Sequence, residues 1–240
     1  MEHDWYTLDE LARQLGRDSR EILKLANRGR IPGRKMGDDW QFHTSEITQW
    51  LEQEMHAYTD RELAILESTH RSEDEDVDAD VPVSSLLTLD TIEVPLQART
   101  RVSVLESLVE LAGRTYQIWE PASVLKAVRE REETFSTAVE NGVAFPHPRN
   151  PLPESIGEPL IAYGRTFTGI PFGAPKRQMT DLFFLILCRD SRTHLQVLAR
   201  LGRILQLPGL LEELRQADDA RSSYDVICKA DNQVSETEVE

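Results

Sequence analysis

Residues 73–80 read Glu-Asp-Glu-Asp-Val-Asp-Ala-Asp, and no single hydrophobic core can run through such a segment. Carboxylates at that density repel one another and bury nothing, so the stretch from about Arg71 to Ser85 is expected to be a disordered tether. It lies in a block, His56 to Thr88, with nine acids against two bases, whereas residues 11–37 hold eight bases against two acids. Two folded parts are expected, over 1–55 and 88–231, with an acidic, partly disordered linker at 56–87 and a disordered tail at 232–240. Within the linker, Thr59 to Thr69 extends a helix whose weak stripe of Tyr58, Leu63, Ile65 and Leu66 suits a frayed end or a dimer contact. The net charge of −15 argues against a general affinity for nucleic acid, but the sum conceals the local basic face.

With 240 residues, 40% of them hydrophobic, the chain can bury a substantial core. No apolar run nears the ~20 residues that cross a bilayer, and Met-Glu-His-Asp-Trp at the start lacks the features of a signal peptide. The expectation is a cytoplasmic protein without membrane insertion. Cys188 and Cys228 sit in apolar runs without metal-ligand spacing, which suits a reducing compartment. Neither is expected to be catalytic, and no metal or cofactor is expected.

In the first part, Thr7 and Glu10 form a capping box ahead of Leu8, Leu11, Ala12 and Leu15, so a short helix is predicted to end at Gly16. Asp18 or Ser19 caps a second helix that is expected to bury Ile22, Leu23 and the Leu25–Ala26 pair. Its other side carries Arg20, Lys24 and Arg28 at intervals of four, a basic ridge. Paired glycines and Asp38-Asp39 then suit a hairpin, and Thr44 or Ser45 is expected to cap a third helix with Ile47, Trp50 and Leu51. Trp5, Trp40 and Trp50 are read as core.

Helix, tight turn, basic helix, basic hairpin and helix is the order of a winged helix-turn-helix module. The segment resembles the excisionase or MerR-like helix-turn-helix family through Tyr6-Thr7-Leu8-Asp9-Glu10-Leu11-Ala12, Leu15-Gly16, and Arg28-Gly29-Arg30-Ile31-Pro32-Gly33-Arg34-Lys35 before Trp40 and Phe42. That resemblance implies DNA as a partner, with Arg20, Lys24 and Arg28 facing a groove and Arg30, Arg34 and Lys35 gripping phosphates. A solvated charged face on a small protein-binding module is the other reading.

From Leu89 onward, strand-like and helix-like patterns alternate, which predicts an α/β domain with a mixed sheet flanked by helices. Ile92–Leu96 reads as an edge strand because it contains Pro95. Residues 102–112 and 121–132 read as helices, Ile161–Phe167 and Tyr224–Lys229 as half-buried strands, and Leu182–Cys188 as a central strand. Asn141-Gly142-Val143-Ala144-Phe145-Pro146-His147-Pro148 ends a short apolar run at a histidine between two prolines. Proline fixes its own backbone and donates no hydrogen bond, so His147 is expected in a stiff surface loop as a nucleophile or proton carrier, or as a turn histidine without chemistry. His194 begins the apolar-periodic run Leu195, Leu198, Leu201 and Leu205, in the first turn of a helix whose free amides would favour a phosphoryl group.

Arg131-Glu132 with Thr137, Gly142-Val143-Ala144-Phe145-Pro146-His147, and His194-Leu195 with Leu198-Ala199 together resemble the type 2 enzyme IIA family of the phosphoenolpyruvate-dependent phosphotransferase system, the fructose, mannitol and nitrogen-regulatory group. The resemblance implies that His147 takes a phosphoryl group from the phosphocarrier HPr or a paralogue. It further implies that His194 stabilises the site, Arg131 neutralises phosphate charge, and Thr137 orients the histidines. Two features depart from the family: Pro148-Arg149-Asn150-Pro151 stiffens the loop after the histidine, and Phe145 replaces an aliphatic residue. The whole then reads as a regulator that couples phosphorylation of His147 to DNA binding, a phosphocarrier component more than a turnover enzyme. The alternatives are a carrier passing phosphate to a separate enzyme IIB and a nitrogen-regulatory-type binder of a target protein; a homodimer is left open.

Overall fold

The computed structural model describes Trp5–His70 and Val81–Glu236. The acidic run Glu73–Asp80 therefore lies outside the described residues, as do residues 237–240. The chain forms two compact units, one of residues 1–80 with Leu195–Arg203, the other of Val81–His194 with Ile204–Glu240.

The first unit opens with strand β1 (Trp5–Thr7) and helices α1 (Leu8–Gln14) and α2 (Ser19–Asn27). Thr7 caps α1 through the expected capping box with Glu10, and the Asp18 carboxylate caps α2 by accepting from the Arg20 amide at 2.7 Å. Strands β2 (Arg34–Met36) and β3 (Asp39–His43) form the hairpin, turning at Gly37 with its φ of 68°. β1 adds to it in the order β1-β3-β2, a third strand that the sequence reading did not include. Helix α3 (Thr44–Glu54) already includes Thr44 and Ser45, the two residues expected to cap it. His43 holds the cap position without a side-chain cap bond to a helix amide, and its Nδ1 pairs instead with the Ser45 hydroxyl at 2.9 Å. Phe42 is fully buried, whereas Trp5, Trp40 and Trp50 are half-buried at the core margin.

Helix α4 (Asp60–Thr69) buries Leu63 and Leu66 of its apolar stripe and leaves Ile65 38% exposed. Thr59 and Glu62 form a second capping box, and Gly16 passes so close to Ile65 that a Cβ would lie 2.3 Å from its methyl group. Glu67 is fully buried and accepts from Arg200 Nη1 at 2.8 Å and Arg203 Nη1 at 2.7 Å, while Asp60 takes Arg203 Nε at 3.1 Å. A buried carboxylate that serves two buried guanidinium groups holds the first unit's helical segments in one arrangement.

In the second unit, β4 (Ile92–Glu93), α5 (Arg101–Gly113), α6 (Pro121–Thr134), β5 (Val143–Ala144), β6 (Leu160–Ile170) and β7 (Thr180–Leu187) precede α8 (Leu210–Gln216) and α9 (Ala220–Glu236), while α7 (Ser191–Leu205) has its two ends in this unit and Leu195–Arg203 in the first. The sheet order is β4-β6-β7-β5; β4 pairs parallel with β6, β6 antiparallel with β7, and β5 parallel with β7, so the sheet is mixed as expected. β7 is an interior strand with Leu182–Leu187 all buried, which is why its apolar run is unbroken. α5 and α6 cover one face through Leu105, Leu108, Val124 and Val128 against Ala162, Phe183 and Leu185.

Two expectations are overturned in this unit. Tyr224–Lys229 is the middle of α9, not a strand; its buried residues Ser223, Ile227, Ala230, Asp231 and Val234 follow a helical period that outweighs the local alternation. The same helix continues to Glu236 with Val234 buried, so 232–236 is not a disordered tail. The end of the expected tether is also folded. Val83 is fully buried, and the Asp231 carboxylate accepts from the Ser84 amide at 2.9 Å and hydroxyl at 2.7 Å.

Glu67→Ala removes the acceptor shared by two buried guanidinium groups and is expected to cost about 3–5 kcal/mol of unfolding free energy in urea, the range for breaking a buried ion pair from one side. Glu62→Ala, at an exposed cap, should cost about 1 kcal/mol or less.

Candidate functional site

The octapeptide that ends at His147 is fixed from both sides. Asn141 and Gly142 have φ of 68° and 82°, and a Cβ on Gly142 would come within 2.6 Å of Asp181 Oδ1, so glycine is needed there on two grounds. Arg215 anchors this corner: its Nη2 donates to the Asn141 carbonyl at 2.5 Å while Nε and Nη2 hold the Asp181 carboxylate at 2.8 and 3.0 Å. That pairing pushes the Arg215 guanidinium further up from its ordinary range. β5 then runs parallel to β7, and beyond it the Ile186 amide donates to the Pro146 carbonyl at 2.9 Å. On the opposite side, the Val139 amide donates to the Val143 carbonyl at 2.8 Å and the Phe145 amide to the Thr137 carbonyl at 3.3 Å.

His147 sits within this frame and is 3% exposed, a correction to the expected surface loop. Because Pro146 still offers its carbonyl to β7, the chain does not leave the sheet at the proline, and Pro148 stays buried as well. His147 Nδ1 lies 2.6 Å from the Phe145 carbonyl oxygen. A carbonyl only accepts, so the network assigns the proton to Nδ1 and leaves the lone pair of the neutral ring on Nε2. The His194 ring stands beside it, with centroids 4.8 Å apart and planes at 52°.

His194 is in the first turn of α7, as expected, and is buried. The helix start is not wholly open to an anion. Asp190 accepts from the Thr193 amide and hydroxyl, both at 2.8 Å, so one amide expected to be free is taken by a carboxylate. Arg131 lies at the end of α6, 7% exposed, with Nη1 donating to the Phe135 carbonyl at 2.8 Å. Thr137 is also buried, but its hydroxyl donates to Glu132 Oε2 at 2.6 Å, so its link to His147 runs through its backbone carbonyl.

Glu132 is the participant that the sequence reading quoted without assigning a role. It is 1% exposed and accepts the Thr137 amide on both oxygens, at 3.0 and 3.2 Å, in addition to the hydroxyl. The signal was its place five residues before Thr137, but α6 ends at Thr134, and no periodicity describes a contact across a helix end.

The basic groups of the first unit are arranged as expected. Arg20 and Lys24 on α2 and Arg28 at its end are exposed opposite the buried Ile22 and Ala26. Arg30 and Lys35 are exposed, and with Arg20, Lys24 and Arg28 make no side-chain ion pair among the described residues. Arg34 differs: it pairs with Glu46 at 3.5 Å and lies over the Trp5 ring at 5.4 Å.

Burial holds the Glu132 carboxyl above the usual glutamate range, opposed by its hydrogen bonds from Thr137 and Ser136. A carboxyl raised in this way contributes stability that is present below its ordinary pKa of 4.5 and is lost as pH rises through the folded value. Glu132→Gln keeps an oxygen acceptor without that titration. Its unfolding free energy relative to the wild type should therefore climb as pH rises from 4.5 and level off once the wild-type carboxyl is ionised; a pH-independent difference in urea titrations would contradict this.

The model of the phosphoenolpyruvate-dependent sugar phosphotransferase system EIIA 2 family matches residues 85–230, and a helix-turn-helix domain model matches residues 5–55. The fructose-specific EIIABC component of the Bacillus subtilis phosphotransferase system is 26% identical over 151 residues, 62% of this chain but 23% of that longer protein. A nitrogen regulatory protein of Bradyrhizobium diazoefficiens is 29% identical over 153 residues, covering 61% of this chain and 95% of the relative. Among solved structures, nitrogen regulatory protein IIA-Ntr from Neisseria meningitidis shares the fold with a TM-score of 0.55 at 23% identity, over 60% of this chain and 98% of that one. No helix among the described residues is long and apolar enough to cross a membrane.

Proposed function

Because the chain belongs to the phosphoenolpyruvate-dependent sugar phosphotransferase system EIIA 2 family and carries a helix-turn-helix domain ahead of that match, we propose that it is a DNA-binding regulator whose His147 accepts a phosphoryl group from an HPr-like carrier. The observation that carries this reading is the bond from His147 Nδ1–H to the Phe145 carbonyl, which leaves Nε2 as the nucleophile beside His194. In the transfer, the Nε2–phosphorus bond forms as the bond from phosphorus to the carrier breaks, and the carrier keeps the bonding pair. The proton stays on Nδ1 and is donated to the Phe145 carbonyl throughout, so the charge that develops on the ring is stabilised where it arises. His194 donates to the phosphoryl oxygens and Arg131 balances their charge. The ring is 3% exposed, so donation by a protein requires a more open state of the site.

The regulatory output is DNA binding through Arg20, Lys24 and Arg28 in the major groove, with Arg30, Arg34 and Lys35 on phosphates. A phosphoryl group adds up to two negative charges to a chain that already carries −15, which supports a phosphorylation-dependent change in that binding. The domain boundaries that fit this reading are 1–55 and 88–231. The fructose-specific relative favours a second reading, a carrier that hands the group to a separate enzyme IIB.

Incubation of the full chain with enzyme I, HPr and phosphoenolpyruvate should give one acid-labile phosphoryl adduct by intact mass, absent in His147→Ala and formed at least about tenfold more slowly in His194→Ala. No adduct with several HPr paralogues would refute the acceptor role. Onward transfer to a purified enzyme IIB would favour the carrier reading. Selection from random duplexes should enrich a defined DNA site, and Arg20→Ala with Lys24→Ala and Arg28→Ala should weaken binding about 100-fold or more and lower the salt dependence. Equal affinity of the triple variant would place the DNA contact elsewhere.

A further inference from the structure

Hydrogen bonds connect the end of α6 to the His147 ring without a gap. Glu132 takes both the amide and the hydroxyl of Thr137. The carbonyl of the same residue takes the Phe145 amide, and the Phe145 carbonyl faces His147 Nδ1. Thr137 is thus held by its amide, its hydroxyl and its carbonyl, and two of those three anchors are Glu132. The neighbouring contacts brace the same loop: Arg131 Nη1 donates to the Phe135 carbonyl, Ser136 Oγ to the Phe172 carbonyl at 3.0 Å, and the Ala138 amide to Ser136 Oγ at 3.2 Å. Glu132 is the only side chain among these whose acceptor atoms reach Thr137 itself.

We propose that Glu132 is a positioning residue for His147: by fixing Thr137 it sets the height of the Phe145 carbonyl, which in turn fixes the tautomer and the ring orientation that present Nε2. This assignment rests on the reading of His147 as the phosphoryl acceptor. Glu132 touches neither the ring nor the transferred group; it acts through two backbone links. The chemistry asked of it is to accept from an N–H and an O–H that point the same way, which a carboxylate oxygen pair does and which the amide oxygen of glutamine does in part. A loop peptide released from that grip moves the carbonyl under His147, and displacement of a reacting atom by about 1 Å is enough to cost about 100-fold in rate.

The test uses the full chain and phosphorylated HPr, with phosphohistidine formation followed by intact mass and the His147 tautomer read by heteronuclear NMR of the imidazole nitrogens. Glu132→Ala, shown to be folded by circular dichroism, should accept the group about 10- to 100-fold more slowly. Its ring should also lose the uniform Nδ1–H form. Glu132→Gln should restore most of the rate and the tautomer, which recovery of mere packing would not produce. A folded Glu132→Ala chain with wild-type rate and tautomer overturns the assignment. Where Glu132→Ala is not recovered folded, Glu132→Asp, which draws the acceptor back by one methylene, should shift both readouts in the same direction, and wild-type values in that variant overturn it equally. If the wild type accepts no phosphoryl group from HPr, the acceptor reading falls and the tautomer comparison alone decides whether Glu132 orients the ring.

Discussion

The bond between His147 Nδ1 and the Phe145 carbonyl is the constraint on which the site depends. An imidazole can act through either nitrogen, and a neutral ring free to rotate offers a mixture of tautomers and directions. Tying one nitrogen to a backbone oxygen removes that choice, because a carbonyl cannot donate. The flanking prolines make the tie local and stiff. Neither has an amide that could compete for the Phe145 carbonyl, and the Pro146 carbonyl is already held by Ile186 of β7.

That constraint is as rigid as the strand beneath it. β5 has two residues, too few to hold a side chain in place alone, but it lies beside β7, whose Leu182–Leu187 segment is entirely buried. On its other side the strand meets the loop 137–139, through an isolated bridge between Ala138 and Ala144 and the two bonds to Thr137 and Val139. The site is therefore braced on one flank by a sheet and on the other by a loop. The loop gains its stiffness from side chains at the end of α6, chiefly Arg131 and Glu132. Gly142, with its positive φ and a corner crowded by Asp181 and Arg215, sets the direction in which this narrow strand starts.

Local chemistry made much of this legible from the sequence. Capping boxes such as Thr7 with Glu10 are complete within four residues, and β7 carries the unbroken apolar run Leu182–Leu187 that suits an interior strand. The same locality explains the misreadings. In α9, Tyr224, Val226 and Cys228 alternate like a strand over six residues, while the buried positions that decide the matter extend from Ser223 to Val234. α4 reads as a weakly apolar helix end because its strongest anchor, the Glu67 carboxylate, depends on Arg200 and Arg203, more than 100 residues away in the chain. His147 reads as displayed because two prolines imply a turn, and the bond from Ile186 keeps that turn against the sheet. At the site, the residue types were visible and their division of labour was not: Thr137 was expected to orient the histidines, and with its hydroxyl engaged by Glu132 its link to His147 runs through its backbone carbonyl and Phe145.

The presence of a carboxylate at position 132 has a physical reason that runs against simple stability. Burial raises its pKa, which means that the ionised group is disfavoured there, and an apolar side chain of the same size would avoid that cost. An apolar replacement, however, would leave the Thr137 amide and hydroxyl, both buried, without their acceptor, and orphaned buried donors cost about 1–3 kcal/mol each. The alternatives are thus unequal in kind. Removing the acid relieves one desolvated charge but frees the peptide whose carbonyl holds Phe145, and through it the ring of His147. A fold under selection for packing alone could dispense with both partners at once. One that must keep an imidazole nitrogen aimed has reason to retain the acid and accept its burial.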